Sequence, residues 1–302
     1  MKARNKIIAA MSAALLSVAL LWAALFFDYG SYFGKQQTAH PALWLVTSGE
    51  TKIYLLGSMH ALPRNMLWQD QAITKAMDEA ETLVLELSPA ESAKAGAIFN
   101  ELAPRSTPIA LEQRLSPSDL AAFHAMPKAT RTLFADNLDD WAILLMMGQK
   151  AARDARLKAE FGVEAGLTRY FKSHDKKIIG LENARNQLMM FETLDESSQK
   201  MLLAQALQKA GSTAKDIDAL LSSWARGDLI GLEQRVNEDV ENIEPAYKTL
   251  ILDRNLQWAD WVDAQMSRGP TLLIAVGAGH MVGDQGLPSL LQKKGYQVQR
   301  LQ

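Results

Sequence analysis

The chain has 302 residues, of which 32 are basic and 34 acidic, so its net charge is close to zero. No long basic block occurs, which excludes the charge pattern typical of a nucleic-acid-binding protein, and we expect no nucleic-acid partner. No cysteine occurs either, which excludes disulfide bonds, thiolate metal sites and a cysteine nucleophile. Any metal ligand must therefore be histidine, aspartate or glutamate.

The amino terminus has the pattern of a membrane-targeting segment. Residues 1–6 carry three basic side chains, and an uncharged apolar run follows at residues 7–27. About 20 apolar residues span a bilayer, whereas a cleaved signal peptide has a core of about 7 to 15. We predict a signal anchor that keeps a short basic stub in the cytoplasm and places the main domain in the periplasm, at the inner membrane. A cleaved signal peptide and a soluble periplasmic protein are the alternative.

The rest of the chain predicts one α/β domain. Residues 28–41 form a spacer, and residues 42–302 form the domain. Strand patterns and helical patterns occur in separate stretches. The strand-bearing core is expected at residues 42–115, 176–190 and 270–302, and helical blocks at 116–175 and 195–267. The predicted fold class is α/β, with a mixed β-sheet core and large helical insertions, preceded by a transmembrane helix.

Strands are predicted where short apolar or alternating runs lie between turn residues. The first two flank a Thr-Ser-Gly-Glu turn and predict a hairpin. In chain order the strands are residues 43–46, 52–56, 82–87, 108–111, 176–182, 271–276 and 296–301. Helical spacing predicts helices at residues 65–80, from 116 onward, at 245–267 and at 288–294.

Two of the strand candidates end in the same motif, Gly-x-x-His. One is Ile53-Tyr-Leu-Leu-Gly-Ser-Met-His60, and the other is Thr271-Leu-Leu-Ile-Ala-Val-Gly-Ala-Gly-His280. Glycine lets the backbone turn sharply after each strand. Because ligands bind at the carboxyl ends of strands in open α/β sheets, His60 and His280 are predicted to meet at one site.

Two glutamates have the same strand-end position. Glu86 lies near the end of the strand at 82–87, and Glu182 ends the strand at 176–182. Two imidazoles with a carboxylate suit a divalent metal ion, and a metal-bound water suits hydrolysis. These residues predict a divalent metal site, and if one of the two carboxylates binds the metal ion, the other can serve as general base. The pattern also allows Glu86 to face solvent on an edge strand and Glu182 to cap the next helix.

Arg254 interrupts an apolar helical face between tryptophans, where an unpaired charge is costly. We predict that it orients a carboxylate or stabilises an oxyanion, and a structural ion pair is the alternative. The other histidines lack a strand-end context. His174 is predicted at the carboxyl end of a helix, His124 lies within one, and His40 lies in the spacer.

Several motifs in a fixed order resemble the TraB/PrgY/gumN family. They extend over residues 43–301. The motifs are Leu55-Leu-Gly-Ser-Met-His60, Leu85-Glu-Leu87, Phe161-Gly-Val-Glu-Ala-Gly-Leu-Thr-Arg-Tyr-Phe171, Ile178-Ile-Gly-Leu-Glu-Asn-Ala-Arg-Asn-Gln187, Asp253-Arg-Asn255 and Val276-Gly-Ala-Gly-His-Met-Val-Gly283.

The resemblance implies a mixed α/β core with helical insertions. It also implies kinship with the Tiki membrane metalloproteases, which carry paired Gly-x-x-His motifs and use manganese or cobalt. His60 and His280 match the paired histidines, and Glu86, Glu182 and Arg254 with Asn255 match the other motifs. With this resemblance, we predict that His60, Glu86 and His280 bind manganese, cobalt or zinc, with Glu182 as general base or fourth ligand. Glu164 stands where many relatives have aspartate, so its side chain is one methylene longer and its role is left open.

The predicted function is that of a membrane-anchored, periplasm-facing, metal-dependent hydrolase, in particular a peptidase, acting on a peptide or small amide. The alternative is a non-catalytic protein that sequesters a secreted peptide or a haem-like ligand in the same cleft. Fold membership does not distinguish the two, because one fold carries many functions.

Overall fold

The computed structural model describes residues 36–236, 242–269 and 271–302. The predicted basic stub, the predicted anchor at residues 7–27 and most of the spacer lie outside these residues. Within the described residues, no helix combines the length and the apolar character needed to cross a membrane. The boundaries of anchor, spacer and domain stay predictions.

The described residues form a six-stranded mixed sheet and a separate pair of very short strands. The order in the large sheet is β6-β5-β7-β3-β2-β8; β6, β5, β7 and β3 are parallel, and β2 runs antiparallel to β3 and β8. The strands are β1 (Gln37–Thr38), β2 (Leu43–Ser48), β3 (Thr51–Ser58), β4 (Met66–Leu67), β5 (Thr82–Leu87), β6 (Lys177–Glu182), β7 (Leu272–Gly277) and β8 (Gln297–Arg300).

Helices cover the sheet, and they make up most of the chain between β5 and β7. They are α1 (Gln71–Glu79), α2 (Pro89–Ser92), α3 (Ala95–Leu102), α4 (Leu111–Arg114), α5 (Pro117–Ala125), α6 (Lys128–Arg131), α7 (Asp140–Asp154), α8 (Val163–Ser173), α9 (Ala184–Glu192), α10 (Glu196–Lys209), α11 (Thr213–Ala225), α12 (Leu229–Val236), α13 (Glu244–Tyr247), α14 (Asp253–Met266) and α15 (Leu287–Lys293). The mixed α/β fold that the sequence predicts is therefore present.

Both faces of the sheet are buried, which explains the nearly continuous apolar runs. In β3, Tyr54 and Leu56 belong to one core cluster, whereas Ile53 and Leu55 belong to the cluster on the opposite face. Alternate residues of a strand point to opposite faces, so a strand covered on both sides needs apolar residues throughout. The predicted hairpin of β2 and β3 is confirmed, with Gly49 at a positive φ of 57° in its turn.

Strand β7 lies between β3 and β5 although it comes from the far end of the chain. At the end of the β3–β7 ladder, Ser58 and Gly277 are direct partners. His60 follows two residues after Ser58, and His280 follows three residues after Gly277. This topology brings the two Gly-x-x-His motifs side by side.

Most predicted elements are confirmed, and two need correction. No strand forms at residues 108–111, because Leu111 is buried and begins the short helix α4. The helix predicted at residues 65–80 begins only at Gln71, because Asp70 caps it by accepting a hydrogen bond from the Ile73 backbone N–H at 3.0 Å. The long helix predicted at 245–267 is present as α13, a π-helical turn over Lys248–Leu252, and α14.

Candidate functional site

The carboxyl ends of the four parallel strands lie along one edge of the sheet. Glu86 is the fifth residue of β5, and Glu182 is the last residue of β6. His60 follows β3, and His280 lies in the short 3₁₀ turn Ala278–Met281 after β7. Hydrogen bonds and ion pairs link all four to one cluster, as the strand-end positions predicted.

Arg254 lies at the centre of this cluster. Its Nη2 is 2.6 Å from Glu86 Oε2, and its Nε is 2.7 Å from Glu182 Oε1. Its Nη1 is 2.9 Å from His280 Nε2. Burial lowers the pKa of Arg254, but the two carboxylates raise it further, so the guanidinium stays charged. The geometry supports the predicted role of orienting carboxylates more directly than that of binding an oxyanion.

Glu86 is buried and fully bonded. Its Oε1 accepts from the Gly277 backbone N–H at 2.8 Å, and its Oε2 accepts from Arg254 and from Gln187 Nε2 at 3.1 Å. Burial raises the pKa of Glu86, but Arg254, His280 and His60 outweigh burial and bring it to about 2. The alternative in which Glu86 faces solvent is therefore wrong.

Glu182 is held by two partners. It accepts from Arg254 through both oxygens and from Gln187 Nε2 at 3.2 Å. It does not cap the next helix, because Asn183 does so by accepting from the Asn186 backbone N–H at 2.8 Å. Because both of its oxygens already accept from Arg254, the role of Glu182 as general base stays a prediction.

The tautomer of His280 follows from its partners. Arginine can only donate, so His280 Nε2 accepts from Arg254, and Nδ1–H donates to Asn255 Oδ1 at 2.7 Å. Asn255 in turn donates to the Gln285 carbonyl oxygen at 2.8 Å. Burial and Arg254 lower the pKa of His280 to about 3, so its ring is neutral.

His60 has a different environment. Its Nδ1 lies 2.7 Å from Glu164 Oε1, which also accepts from Ser58 Oγ, whereas its buried Nε2 has no hydrogen-bond partner among the described residues. The nearest carboxylate oxygen across from Nε2 is Glu86 Oε1, at 3.9 Å. Burial lowers the pKa of His60, but Glu164 outweighs burial and the net shift is upward.

Glu164 is the residue that strand-end reasoning did not select, since it lies in the first turn of α8. Gly162 lets this helix begin against the His60 loop: a Cβ at Gly162 would lie 2.0 Å from the His60 carbonyl oxygen. The neighbouring Val163 N–H donates to the Met59 carbonyl at 3.0 Å. The signal in the sequence is the Gly-aliphatic-acid motif. The Glu164 side chain is 21% exposed, whereas that of His60 is 6% exposed.

The predicted metal ligands were tested against this geometry. Two carboxylates, Glu86 and Glu182, contact the Arg254 guanidinium, and a third, Glu164, contacts His60, so the cluster has three carboxylates for one guanidinium. However, His280 Nε2 and Glu86 Oε2 accept from Arg254. Among the described residues, no group of three or more His, Asp or Glu side chains is arranged to hold a metal ion. A metal ion bound by His60, Glu86 and His280 does not fit this arrangement, and their role as metal ligands stays a prediction.

The other histidines lie outside the cluster. His174 caps the carboxyl end of α8, as predicted, His124 is exposed, and exposed His40 pairs with Asp70 at 2.9 Å. Two cavities of about 500 and 230 Å³ open in the helical part, and none of the cluster residues lines either.

The sequence profile of the TraB/PrgY/gumN family matches residues 42–300, which include every residue of the cluster. The chain belongs to the TraB/PrgY/gumN family. The resemblance of its motifs is thereby confirmed over nearly all the described residues.

Individual relatives are distant. Proteins named "Uncharacterized protein YbaP" from Escherichia coli (strain K12) and Shigella flexneri are each 27% identical over 283 residues, covering 92% of this chain and 99% of the relative. A "Metalloprotease TIKI homolog" from Amphimedon queenslandica is 23% identical over 342 residues, covering 95% of this chain and 67% of the relative. At these identities, membership in the TraB/PrgY/gumN family indicates the fold without specifying a reaction.

Proposed function

We propose that this TraB/PrgY/gumN protein is a hydrolase of peptide or small amide bonds in which His60 is the general base. One observation carries the proposal: His60 Nε2 is buried without a partner while Glu164 holds Nδ1. A histidine oriented by a carboxylate, with its second nitrogen free, is the arrangement that enzymes use to activate water or a hydroxyl group.

The chemistry follows from this pair. His60 Nε2 accepts a proton from water as the water oxygen attacks the substrate carbonyl carbon, and Glu164 stabilises the imidazolium that forms. The same proton passes to the leaving amine when the C–N bond breaks, which restores neutral His60. Arg254 keeps Glu86 and Glu182 in place beside the base.

A relative named as a metalloprotease supports hydrolysis as the reaction class and keeps a metal requirement open. In the geometry of this chain, the base needs no metal ion. We therefore expect hydrolysis to persist in the presence of a chelator. If a chelator abolishes activity and manganese, cobalt or zinc restores it, the result supports His60, Glu86 and His280 as metal ligands. In that case the hydrogen bond from Arg254 to His280 must break when the metal ion binds.

The base is tested with the full-length chain and a peptide library analysed by mass spectrometry. His60→Ala should lower kcat/KM by about 10²- to 10⁴-fold, the range for loss of a general base. His124→Ala, which changes an exposed histidine outside the cluster, should keep full activity. A His60→Ala variant with unchanged kcat/KM would refute this mechanism. Retention of a peptide or haem without cleavage would support the sequestering protein instead.

We also propose the predicted location: an inner-membrane anchor at residues 7–27 with the domain in the periplasm. The basic residues before the apolar run support this orientation. The intact mass of the protein and its fractionation with membranes test it. An anchored chain retains its amino terminus and sediments with membranes, whereas a cleaved chain is shorter and released from the periplasm.

A further inference from the structure

Strand β6 (Lys177–Glu182) is an outer strand of the six-stranded sheet and, within the described part of the chain, pairs on one side only, with β5. Every residue after exposed Lys177 is half-buried, whereas β5 is buried from its second residue to its last. No hydrogen bond joins its outward backbone groups to any other described segment. Such an edge presents a row of free N–H and C=O groups.

The two outer strands of the sheet differ in side-chain chemistry. Natural proteins protect free edges with charged or polar residues and proline. The other outer strand, β8 (Gln297–Arg300), has the sequence Gln-Val-Gln-Arg and is mostly exposed. Strand β6 has Ile178, Ile179 and Leu181 instead, and between Lys177 at its start and Glu182 at its end it carries no charge. One edge is thus protected against pairing, and the other is suited to it.

The β6 edge also leads directly to the cluster. Its last residue, Glu182, accepts from Arg254 Nε at 2.7 Å and from Gln187 at 3.2 Å. A chain segment lying along β6 in an extended conformation would therefore reach the candidate site at the end of the strand. A small amide has no extended backbone that could form a row of hydrogen bonds with this edge.

We propose that β6 is the docking strand for the substrate, and that the substrate is an extended polypeptide segment that adds to the sheet beside it. This inference rests on the proposed hydrolase function and narrows its substrate from a peptide or small amide to an extended polypeptide. Main-chain hydrogen bonds supply the affinity in this mode of recognition. The side chains beside Ile179 and Leu181 set sequence preference.

The sheet geometry also sets the distance to the cleaved bond. His60 follows β3, which lies three strand positions from β6 and therefore four from a segment added outside β6. At about 4.8 Å between strands, the separation is about 19 Å, and an extended chain covers it with about six residues. The paired segment should thus lie about six residues from the bond that is hydrolysed.

Binding is tested without turnover by hydrogen exchange on the full-length His60→Ala chain. The probe is β-casein, an unfolded polypeptide, and the control ligand is a capped dipeptide amide, which is too short to form a ladder. We expect β-casein to slow amide exchange several-fold in β6, and the dipeptide to have no effect. The exchange rate of β8, the other outer strand, should not change. Unchanged exchange in β6 would overturn the docking proposal.

The active chain provides a second test, with a cleaved peptide that is N-methylated at one residue at a time. A methyl group on a paired amide removes one hydrogen bond, so KM should rise about two- to tenfold at alternate residues of the paired segment. Values of kcat should not change there. A rise at every position, or at none, would exclude strand addition.

The two proposals fail in different ways. Slowed exchange in β6 without cleavage by the unmodified chain would leave the docking strand in place and refute the hydrolase. Cleavage without slowed exchange in β6 would keep the hydrolase and refute the docking strand.

Discussion

His60 and His280 are both buried histidines after parallel strands, yet their partners give them different properties. Glu164 lies beside His60 and raises its pKa, whereas Arg254 lies beside His280 and lowers its pKa. The His60 ring is therefore the more basic of the two, and the His280 ring serves as a neutral link between Arg254 and Asn255. The chemical difference comes from one neighbouring charge in each case.

The role of Glu164 can be tested through the pH dependence of activity. Replacing it by glutamine removes the negative charge that raises the pKa of His60, so that pKa should fall. His60 then stays unprotonated to lower pH, and the acid limb of the kcat/KM profile should move to lower pH. Glu164→Asp keeps the charge and is the matched control. An acid limb that does not move in Glu164→Gln would show that Glu164 has only a packing role.

His280 makes stability depend on pH. Its pKa is about 3 in the folded protein and about 6.5 when unfolded, so the unfolded chain binds the additional proton between these values. Stability conferred by neutral His280 is therefore present above pH 6.5 and is lost as pH falls towards 3. The free energy of unfolding should fall by up to about 1.4 kcal/mol per pH unit.

The pH window separates His280 from its neighbours. Glu86, with a folded pKa of about 2, loses its contribution only below about pH 4.5. The raised pKa of His60 affects stability above pH 6.5, where its contribution is lost as pH rises. Urea unfolding of the unmodified chain and of His280→Leu between pH 4.5 and 6.5 therefore gives the contribution of His280 as a difference. Burial also raises the pKa of Asp139, Asp140 and Glu192, and these acids contribute equally to both chains. The rise in stability with pH should be smaller in His280→Leu, and equal slopes would refute the assignment.

Helix α8 shows how one element positions another. Its acid Glu164 reaches His60 only because Gly162, just before the helix, has no side chain. Strand ends position the other acids, since β5 and β6 carry Glu86 and Glu182 to the same edge. The geometry of the site thus depends on the relative positions of four strands and of helices α8 and α14.

Gly162→Ala tests this close approach. The added methyl would lie 2.0 Å from the His60 carbonyl oxygen, which is backbone and has little freedom to move. We expect a loss of about 1–3 kcal/mol in the free energy of unfolding, the range for overpacking, together with loss of turnover. Gly211→Ala is the control, because a Cβ there meets nothing within 4 Å, and its effect should stay within about 0.5 kcal/mol. Equal stabilities for the two variants would contradict this prediction.

At the scale of the whole molecule, the outer strand β8 near residue 302 covers one edge of the β2–β3 hairpin. Strand β8 pairs with β2, and the Leu301 N–H donates to the Leu43 carbonyl at 2.8 Å. Arg300 of the same strand donates a hydrogen bond from Nη2 to the Gly227 carbonyl oxygen. The last residues of the chain thus cover the edge of a hairpin that leads to His60.

Truncation after Lys294 should expose the apolar edge of β2. We expect a lower melting temperature and aggregation at micromolar concentration, because an unprotected edge pairs with other chains. Circular dichroism and light scattering measure the two effects. Full-length protein with Arg300→Ala is the control, since it keeps the β2–β8 ladder and should remain monodisperse. A truncated chain with unchanged melting temperature would show that β8 is dispensable.

The local elements and the candidate residues could be predicted well from sequence. Strand β5 has the predicted bounds, 82–87, because alternation and proline are local signals. The strand predicted at 108–111 is wrong because Leu111 begins a short helix, which the local apolar pattern does not indicate. The Gly-aliphatic-acid motif draws attention to Glu164 but does not indicate its partner, since nothing near it in the chain points to His60.

By itself, the sequence determined which side chains stand at strand ends and which family they belong to, because periodicity and motifs are properties of neighbouring residues. Only the tertiary structure decided how they combine. The insertion of β7 between β3 and β5 brings His280 next to His60, and the packing of α14 places Arg254 between Glu86 and Glu182. Whether a histidine is a base or a neutral link depends on charges a few ångströms away, and those charges come from distant parts of the chain.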